Sequence, residues 1–165
     1  MNLENKIEEN IIEILKADDT VIKTEMLYNL ASENVDDEII KTVIQLIKDR
    51  DKSLRNSASN FLIQCNSPLI PFALIDYISS SDISIRNLAG EILLRKGVAS
   101  LDAICKRLPE INDDDDIKFL IDILGLIGDK FPEDFIIDVL RINSNENVIV
   151  ACIEALGNIL SEKSL

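Results

Sequence analysis

The chain has 165 residues, 47% of them hydrophobic, and carries a net charge of −13, because 30 aspartates and glutamates outnumber 17 lysines and arginines. This apolar fraction is too high for a disordered acidic tail. The negatively charged protein should repel phosphate backbones, so we do not expect a nucleic acid as its partner. No run of about 18 apolar residues is present that could form a membrane-spanning helix. The chain also lacks histidine, the side chain most often used as a general base near neutral pH.

Apolar stretches with helical spacing follow one another in pairs along the chain. The first helix of each pair is predicted within residues 7–15, 39–47, 69–78, 98–108 and 135–140. The second helices are predicted to start near residues 22, 54, 85, 116 and 148, so that successive starts lie 31 or 32 residues apart. A fixed period of this length is typical of helical solenoids.

The second helices share residue types at fixed positions. Three residues before each start is a side chain that can accept hydrogen bonds from the first amides of the helix: Asp19, Asp51, Asp82, Asp113 and Asn145. Positions 0, 4 and 8 of each helix are predicted to form its buried face, with leucine at position 8 in every repeat: Leu30, Leu62, Leu93, Leu124 and Leu156. At position 12, four repeats have a residue that is predicted to end the helix in the left-handed conformation: Asn34, Asn66, Gly97 and Gly128. The last repeat is the exception and has Leu160 there.

A single pair of such helices cannot bury its apolar faces, so neighbouring pairs must stack. The sequence therefore predicts an all-α fold, a right-handed α-α superhelix of about five helix pairs. We expect one repeat domain over residues 1–165.

The repeat resembles a known family. Residues 147–159 resemble the second helix of the short bacterial or archaeal HEAT repeat, the phycobilisome-lyase HEAT-like type, and residues 51–56 and 82–89 resemble its Asp-x-x-apolar-Arg turn. The resemblance implies that the second helices line a concave face and that the turn Asp and Arg connect adjacent repeats. Lys23, Ile117 and Ile149 replace that arginine, so the polar connections are expected to weaken toward the C-terminus.

The candidate chemical groups favour structural roles. The run Asp113 to Asp116 is either a weak cation site or a capped turn, and the turn is favoured because the glycine and distal glutamate of an EF-hand loop are missing. Arg55 and Arg86 could bind an acidic partner, but a structural role with Asp51 or Asp82 is favoured. We expect no catalytic residue, metal ligand or cofactor, and hence no enzyme.

The three cysteines are Cys65, Cys105 and Cys152, and they show no metal or redox spacing. They are predicted to be buried core residues. Their odd number and wide separation favour a reducing, cytoplasmic location.

Positions 2, 6 and 10 of the second helices point away from the buried face, and we expect them to line the groove where a partner binds. The predicted partner-binding residues are Thr24, Tyr28, Asn56, Asn60, Gln64, Asn87, Glu91, Arg95, Lys118, Asp122, Glu154 and Asn158. The amides can both donate and accept hydrogen bonds, which suits an extended peptide. The alternative is that these residues are merely solvated.

The predicted function is a non-catalytic scaffold for a protein or peptide partner. The alternative is an enzyme accessory or lyase-like protein that holds a modified polypeptide or a small ligand. The last helix has no polar capping helix after it in the sequence. Ile149, Ile153 and Leu160 are therefore expected to stay partly exposed and to allow a homodimer.

Overall fold

The computed structural model describes residues 3–30 and 35–160. Within these ranges the chain forms helices joined by short turns, and it contains no strand. The chain divides into two compact units, one ending at Leu74 and the other beginning at Ile75. The prediction of one repeat domain over residues 1–165 stays a prediction. Asn34, predicted to end the first repeat, lies outside the described residues.

The first unit contains helices α1 to α5. Their bounds are Leu3–Lys16 (α1), Thr20–Leu30 (α2), Asp37–Leu46 (α3), Lys52–Gln64 (α4) and Leu69–Leu74 (α5). First helices pack on first helices, α1 on α3 and α3 on α5, and the second helices α2 and α4 pack on each other. Within a pair, α1 contacts α2 and α3 contacts α4. The helix pairs are thus stacked in chain order.

The second unit contains α6 to α10 with three short 3₁₀ turns. The helices are Ile83–Lys96 (α6), Leu101–Arg107 (α7), Asp114–Ile127 (α8), Glu133–Ile142 (α9) and Glu146–Asn158 (α10), and the 3₁₀ turns are Ile75–Ser79, Gly97–Ser100 and Leu108–Glu110. Here α6 packs on α8, α8 packs on α10, and α9 pairs with α10. The predicted all-α solenoid class is confirmed.

All five predicted N-caps are formed. The Asp19 carboxylate accepts from the amides of Val21 and Ile22 at 2.9 and 3.1 Å, and Asp51 accepts from the amide of Leu54 at 3.0 Å. In the second unit Asp82, Asp113 and Asn145 cap α6, α8 and α10 in the same way. Because a capping contact involves only residues two or three positions apart, sequence alone could predict each one.

The buried face also follows the predicted spacing, except that Ile22 is exposed and that Met26 and Ile85 are only partly buried. Leu54, Ala58 and Leu62 of α4 are fully buried, as are the equivalent positions of α10. Ile22 is 47% exposed, and Asp116 occupies an apolar position of α8 yet is buried.

The helix ends follow the prediction fully only at Gly128, which is left-handed with φ 72° and ψ 18°. Gly97 also has a positive φ, 58°, but its ψ of −130° lies outside the left-handed helical region. The prediction for Asn66 was wrong, because α4 ends at Gln64, its C-cap Cys65 is extended, and the chain leaves the helix without a left-handed residue. Leu160, the predicted exception, has a φ of 54°.

Candidate functional site

Two grooves bring predicted partner-binding residues together, one in each unit. The first, the α2–α4 groove, is a depression of about 220 Å³. It is lined by Thr24, Leu27, Tyr28, Ser57, Asn60, Phe61 and Gln64. Leu27 and Phe61 are 1% exposed, whereas Tyr28 is 84% exposed. The groove therefore combines a buried apolar floor with a rim of hydroxyl and amide groups and one accessible aromatic ring.

The second, the α8–α10 groove, measures about 330 Å³. It is lined by Lys118, Asp122, Gly125, Leu126, Ala151, Glu154, Ala155 and Asn158. The ammonium of Lys118 donates to the Asp122 carboxylate at 2.6 Å, so these two charges largely compensate each other. Glu154 is exposed and leaves this groove acidic.

Small residues make the floor of the α8–α10 groove. A Cβ atom at Gly125 would lie 2.8 Å from Cα of Ala155 and 2.9 Å from its Cβ, closer than real carbon atoms approach. Because Gly125 has no side chain, the backbones of α8 and α10 can touch at this point. The close approach keeps the groove shallow and fixes the separation of its two walls.

The other four predicted residues line neither groove. Asn56, Asn87, Glu91 and Arg95 are exposed on α4 and α6. Leu126 also lines the α8–α10 groove and was not among the predicted residues. It is 66% exposed and occupies the same repeat position as Gln64 and Arg95, so the repeat period could have identified it, but its apolar side chain departs from the polar pattern of that position.

Arg86 connects α6 to α8. Its guanidinium donates to the backbone carbonyl of Asp115 at 2.9 Å, lies 3.2 Å from the Asp116 carboxylate, and stacks 5.0 Å from the centre of the Phe119 ring. The structural role predicted for this arginine is therefore observed, but its partner is Asp116 of the next repeat and not Asp82. Arg55 instead donates to the carbonyls of Asp49 and Arg50 in its own turn, at 2.8 and 3.1 Å.

The aspartate run forms the N-cap and the first turn of α8, which is a structural role. Asp113 caps α8, and the Asp114 carboxylate accepts from the side-chain amides of Asn143 and Asn145 at 3.1 and 2.9 Å. The polar connections thus continue to α10 through asparagines, contrary to the expected weakening toward the C-terminus. Within the described part of the chain, no three His, Cys, Asp or Glu side chains are placed to hold a metal ion.

The three cysteines are buried, as predicted. Burial raises the pKa of Cys105 to about 11, and the nearby Asp102 carboxylate adds to the effect. Burial alone raises the pKa of Cys152 to about 11. Both thiols are therefore protonated near neutral pH and are poor nucleophiles.

Helix α10 and the residues that follow it expose apolar side chains. Ile153 and Leu160 are 58% and 75% exposed, and Ile149 is half-buried. No helix in the described ranges has both the length and the apolar character needed to cross a membrane.

No family model and no curated protein matches the sequence. Among solved structures, the chain is similar to two engineered proteins of the Northeast Structural Genomics Consortium, each at 18% identity over 96% of this chain, with TM-scores of 0.43 and 0.44. It covers 81% of the first but only 48% of the second. A designed armadillo repeat protein matches 91% of this chain at 15% identity, with 81% of its own length covered and a TM-score of 0.42. At these identities the similarity concerns the fold alone.

Proposed function

We propose that the chain is a non-catalytic scaffold of HEAT-like repeats, of the short bacterial or archaeal type, which binds a protein or peptide partner along its second helices. The observation that carries the proposal is the grouping of predicted residues. Thr24, Tyr28, Asn60 and Gln64 share the α2–α4 groove, and Lys118, Asp122, Glu154 and Asn158 share the α8–α10 groove.

The chemistry of the α2–α4 groove suits a peptide. Asn60 and Gln64 can each donate and accept hydrogen bonds with a peptide backbone. Leu27 and Phe61 offer an apolar floor to one inserted side chain, and the exposed Tyr28 can lie against it. Aromatic residues with a polar end are enriched where proteins bind each other. This groove is therefore the preferred site of the proposal.

The size of the grooves supports a scaffold over the alternative, an enzyme accessory or lyase-like protein. Pockets that enclose a small ligand usually measure about 300–1,000 Å³. The α2–α4 groove, at about 220 Å³, is smaller than such pockets. The α8–α10 groove, at about 330 Å³, is at the lower end of their range. Contact with a side chain or a short stretch of backbone fits them better than enclosure of a bulky cofactor.

Peptide selection tests the proposal with a defined probe. Peptides from a random library are selected on the wild-type protein, and their Kd is then measured by fluorescence anisotropy. We expect Asn60→Arg/Gln64→Arg to weaken the selected peptides at least tenfold, because two long cations fill the groove. Ser81→Arg/Ser144→Arg adds the same charge at exposed turn positions and is the matched control. Equal affinity for all three proteins would reject the groove as the site.

Two further properties belong to the proposal. We propose a cytoplasmic location, which the three buried free cysteines support. We also propose a homodimer through α10, supported by the exposed side chains of Ile153 and Leu160. Sedimentation equilibrium should give a mass above 18.5 kDa at high concentration, and Ile153→Lys should return it to one chain. A monomer mass for the wild-type protein would reject the dimer.

A further inference from the structure

A lysine-rich depression lies between α1, α2 and α3. It measures about 480 Å³ and is lined by Leu15, Lys16, Lys23, Lys41, Thr42, Gln45 and Leu46. It shares no residue with the α2–α4 groove. Three of its lining residues are lysines and none is a carboxylate, although the whole chain carries a net charge of −13. The lining of the depression is therefore basic, whereas the chain as a whole is acidic.

Lys23 is the central residue of this depression. It is 9% exposed, and none of the ion pairs among the described residues involves its side chain. Arg55 and Arg86, at the same position of later repeats, are both satisfied by carbonyl or carboxylate oxygens. An anion in the depression would supply what the chain does not provide for Lys23.

The accessible end of Lys23 points to an external partner. No fully buried side-chain nitrogen or oxygen of the described residues lacks a hydrogen-bond partner. Since the Lys23 ammonium has no such partner and is not fully buried, it must be reachable from the depression that it lines. Its methylene groups account for the burial.

The charges favour a doubly charged ligand. Lys41 is already paired with Glu38 at 2.6 Å, whereas Lys16 and Lys23 have no ion pair in the described part of the chain. A phosphate monoester carries a charge of about −1.5 to −2 at neutral pH, which matches two free ammonium groups. One carboxylate would compensate only one of them. Leu15 and Leu46, both buried, form an apolar floor for a group attached to the phosphate.

We propose that this depression binds a phosphate monoester, with Lys16 and Lys23 as its principal ligands. Lysine is a common phosphate-binding residue and acts there as a point charge. The site is separate from the second-helix grooves, so an experiment can reject the phosphate site without rejecting the scaffold proposal, and the reverse is also true.

Calorimetric titration tests the site with three probes: inorganic phosphate, a short phosphoserine peptide with an apolar neighbour, and the same peptide with glutamate in place of phosphoserine. We expect Lys23→Met to weaken phosphate-probe binding at least tenfold, because it keeps the apolar stem and removes the charge. Lys23→Arg should stay within about threefold of the wild type. Lys130→Met removes an exposed lysine of the other unit and should change nothing.

The variants and probes separate the outcomes. Lys16→Met replaces an exposed residue and should also weaken binding, which keeps the test valid if Lys23→Met does not fold. A phosphopeptide that binds more tightly than inorganic phosphate indicates a phosphorylated partner, whereas equal affinities indicate free phosphate as the source. Binding unchanged in both lysine variants, no binding of either phosphate probe, or equal affinity for the glutamate peptide would overturn the proposal.

Discussion

The thiols of Cys105 and Cys152 lie in the core of the second unit, and the pKa of each is raised to about 11 from an ordinary value of 9.0. Between pH 9 and pH 11 the two thiols keep their protons in the folded protein but lose them in the unfolded chain. Stability therefore falls as the pH rises from about 9 to 11. Each pKa unit corresponds to about 1.4 kcal/mol, so each thiol should lower the free energy of unfolding by roughly 2–3 kcal/mol by pH 11.

Urea unfolding at pH 8 and pH 10.5 checks this prediction. Tyrosines and lysines also titrate in this range, so the informative quantity is the difference between the wild type and Cys105→Ala/Cys152→Ala. The double variant should be less stable at pH 8, because methyl-sized cavities remain in the core, but should lose less stability on going to pH 10.5. The same loss in both proteins would contradict the assignment.

Gly125 and Gly157 provide a matched pair of glycines on the facing helices α8 and α10. We expect Gly125→Ala to destabilise the protein by about 1–3 kcal/mol, because the added methyl group would overlap the Ala155 backbone. Gly157→Ala meets no atom within 4 Å and should be neutral or stabilising by up to about 1 kcal/mol, since alanine is the better helix former. Thermal unfolding of both variants measures the contrast, and a Gly125→Ala protein as stable as the wild type would show that the helices are further apart.

At the scale of elements, α6 and α8 are joined by the ion pair between Arg86 and Asp116. Asp116 is 7% exposed, so Arg86→Met leaves a buried carboxylate without its counter-charge. We expect a loss of about 3 kcal/mol. Asp116→Asn removes the charge, and the double variant should therefore cost clearly less than the sum of the two single variants.

A double-mutant cycle by urea unfolding measures this coupling. Strictly additive effects would mean that the pair contributes nothing and that Arg86 acts only through the Asp115 carbonyl and the Phe119 ring. Lys106→Met is a suitable control, because the ion pair of Lys106 with Asp102 is largely exposed and such pairs contribute little.

The helices and their caps could be predicted from the sequence because they depend on nearby residues. The period of 31 or 32 residues located every second helix, and the five capping side chains bond to amides two or three positions away. The helix expected over residues 69–78 is instead α5 followed by the 3₁₀ turn Ile75–Ser79, a difference in hydrogen bonding that apolar spacing does not encode.

The candidate site could be predicted only in part, because it depends on contacts between helices. Eight of the predicted residues line a groove, since helical periodicity fixes which positions point outward. The role of Gly125, the partner of Arg86 and the lysine-rich depression depend on the distance between neighbouring helices. A repeat pattern gives the order of the helices but not these distances.

At the scale of the whole molecule, each of the two units carries a groove built from the same positions of its second helices. The α2–α4 groove is uncharged along its lining, whereas the α8–α10 groove is acidic. Repeat proteins use such equivalent positions to contact extended partners, each repeat contributing a small part of the binding energy. The difference in charge predicts that the two grooves prefer peptides of different charge.

Affinity capture from the native lysate tests the central claim most directly. It compares the wild type with Asn60→Arg/Gln64→Arg in the first groove, Leu126→Arg/Asn158→Arg in the second, and the charge-matched control Ser81→Arg/Ser144→Arg. We expect a partner that the wild type and the control retain equally and that at least one groove variant, shown by circular dichroism to be folded, loses by tenfold or more. A partner retained undiminished by both groove variants would contradict the claim and place the interaction elsewhere on the protein.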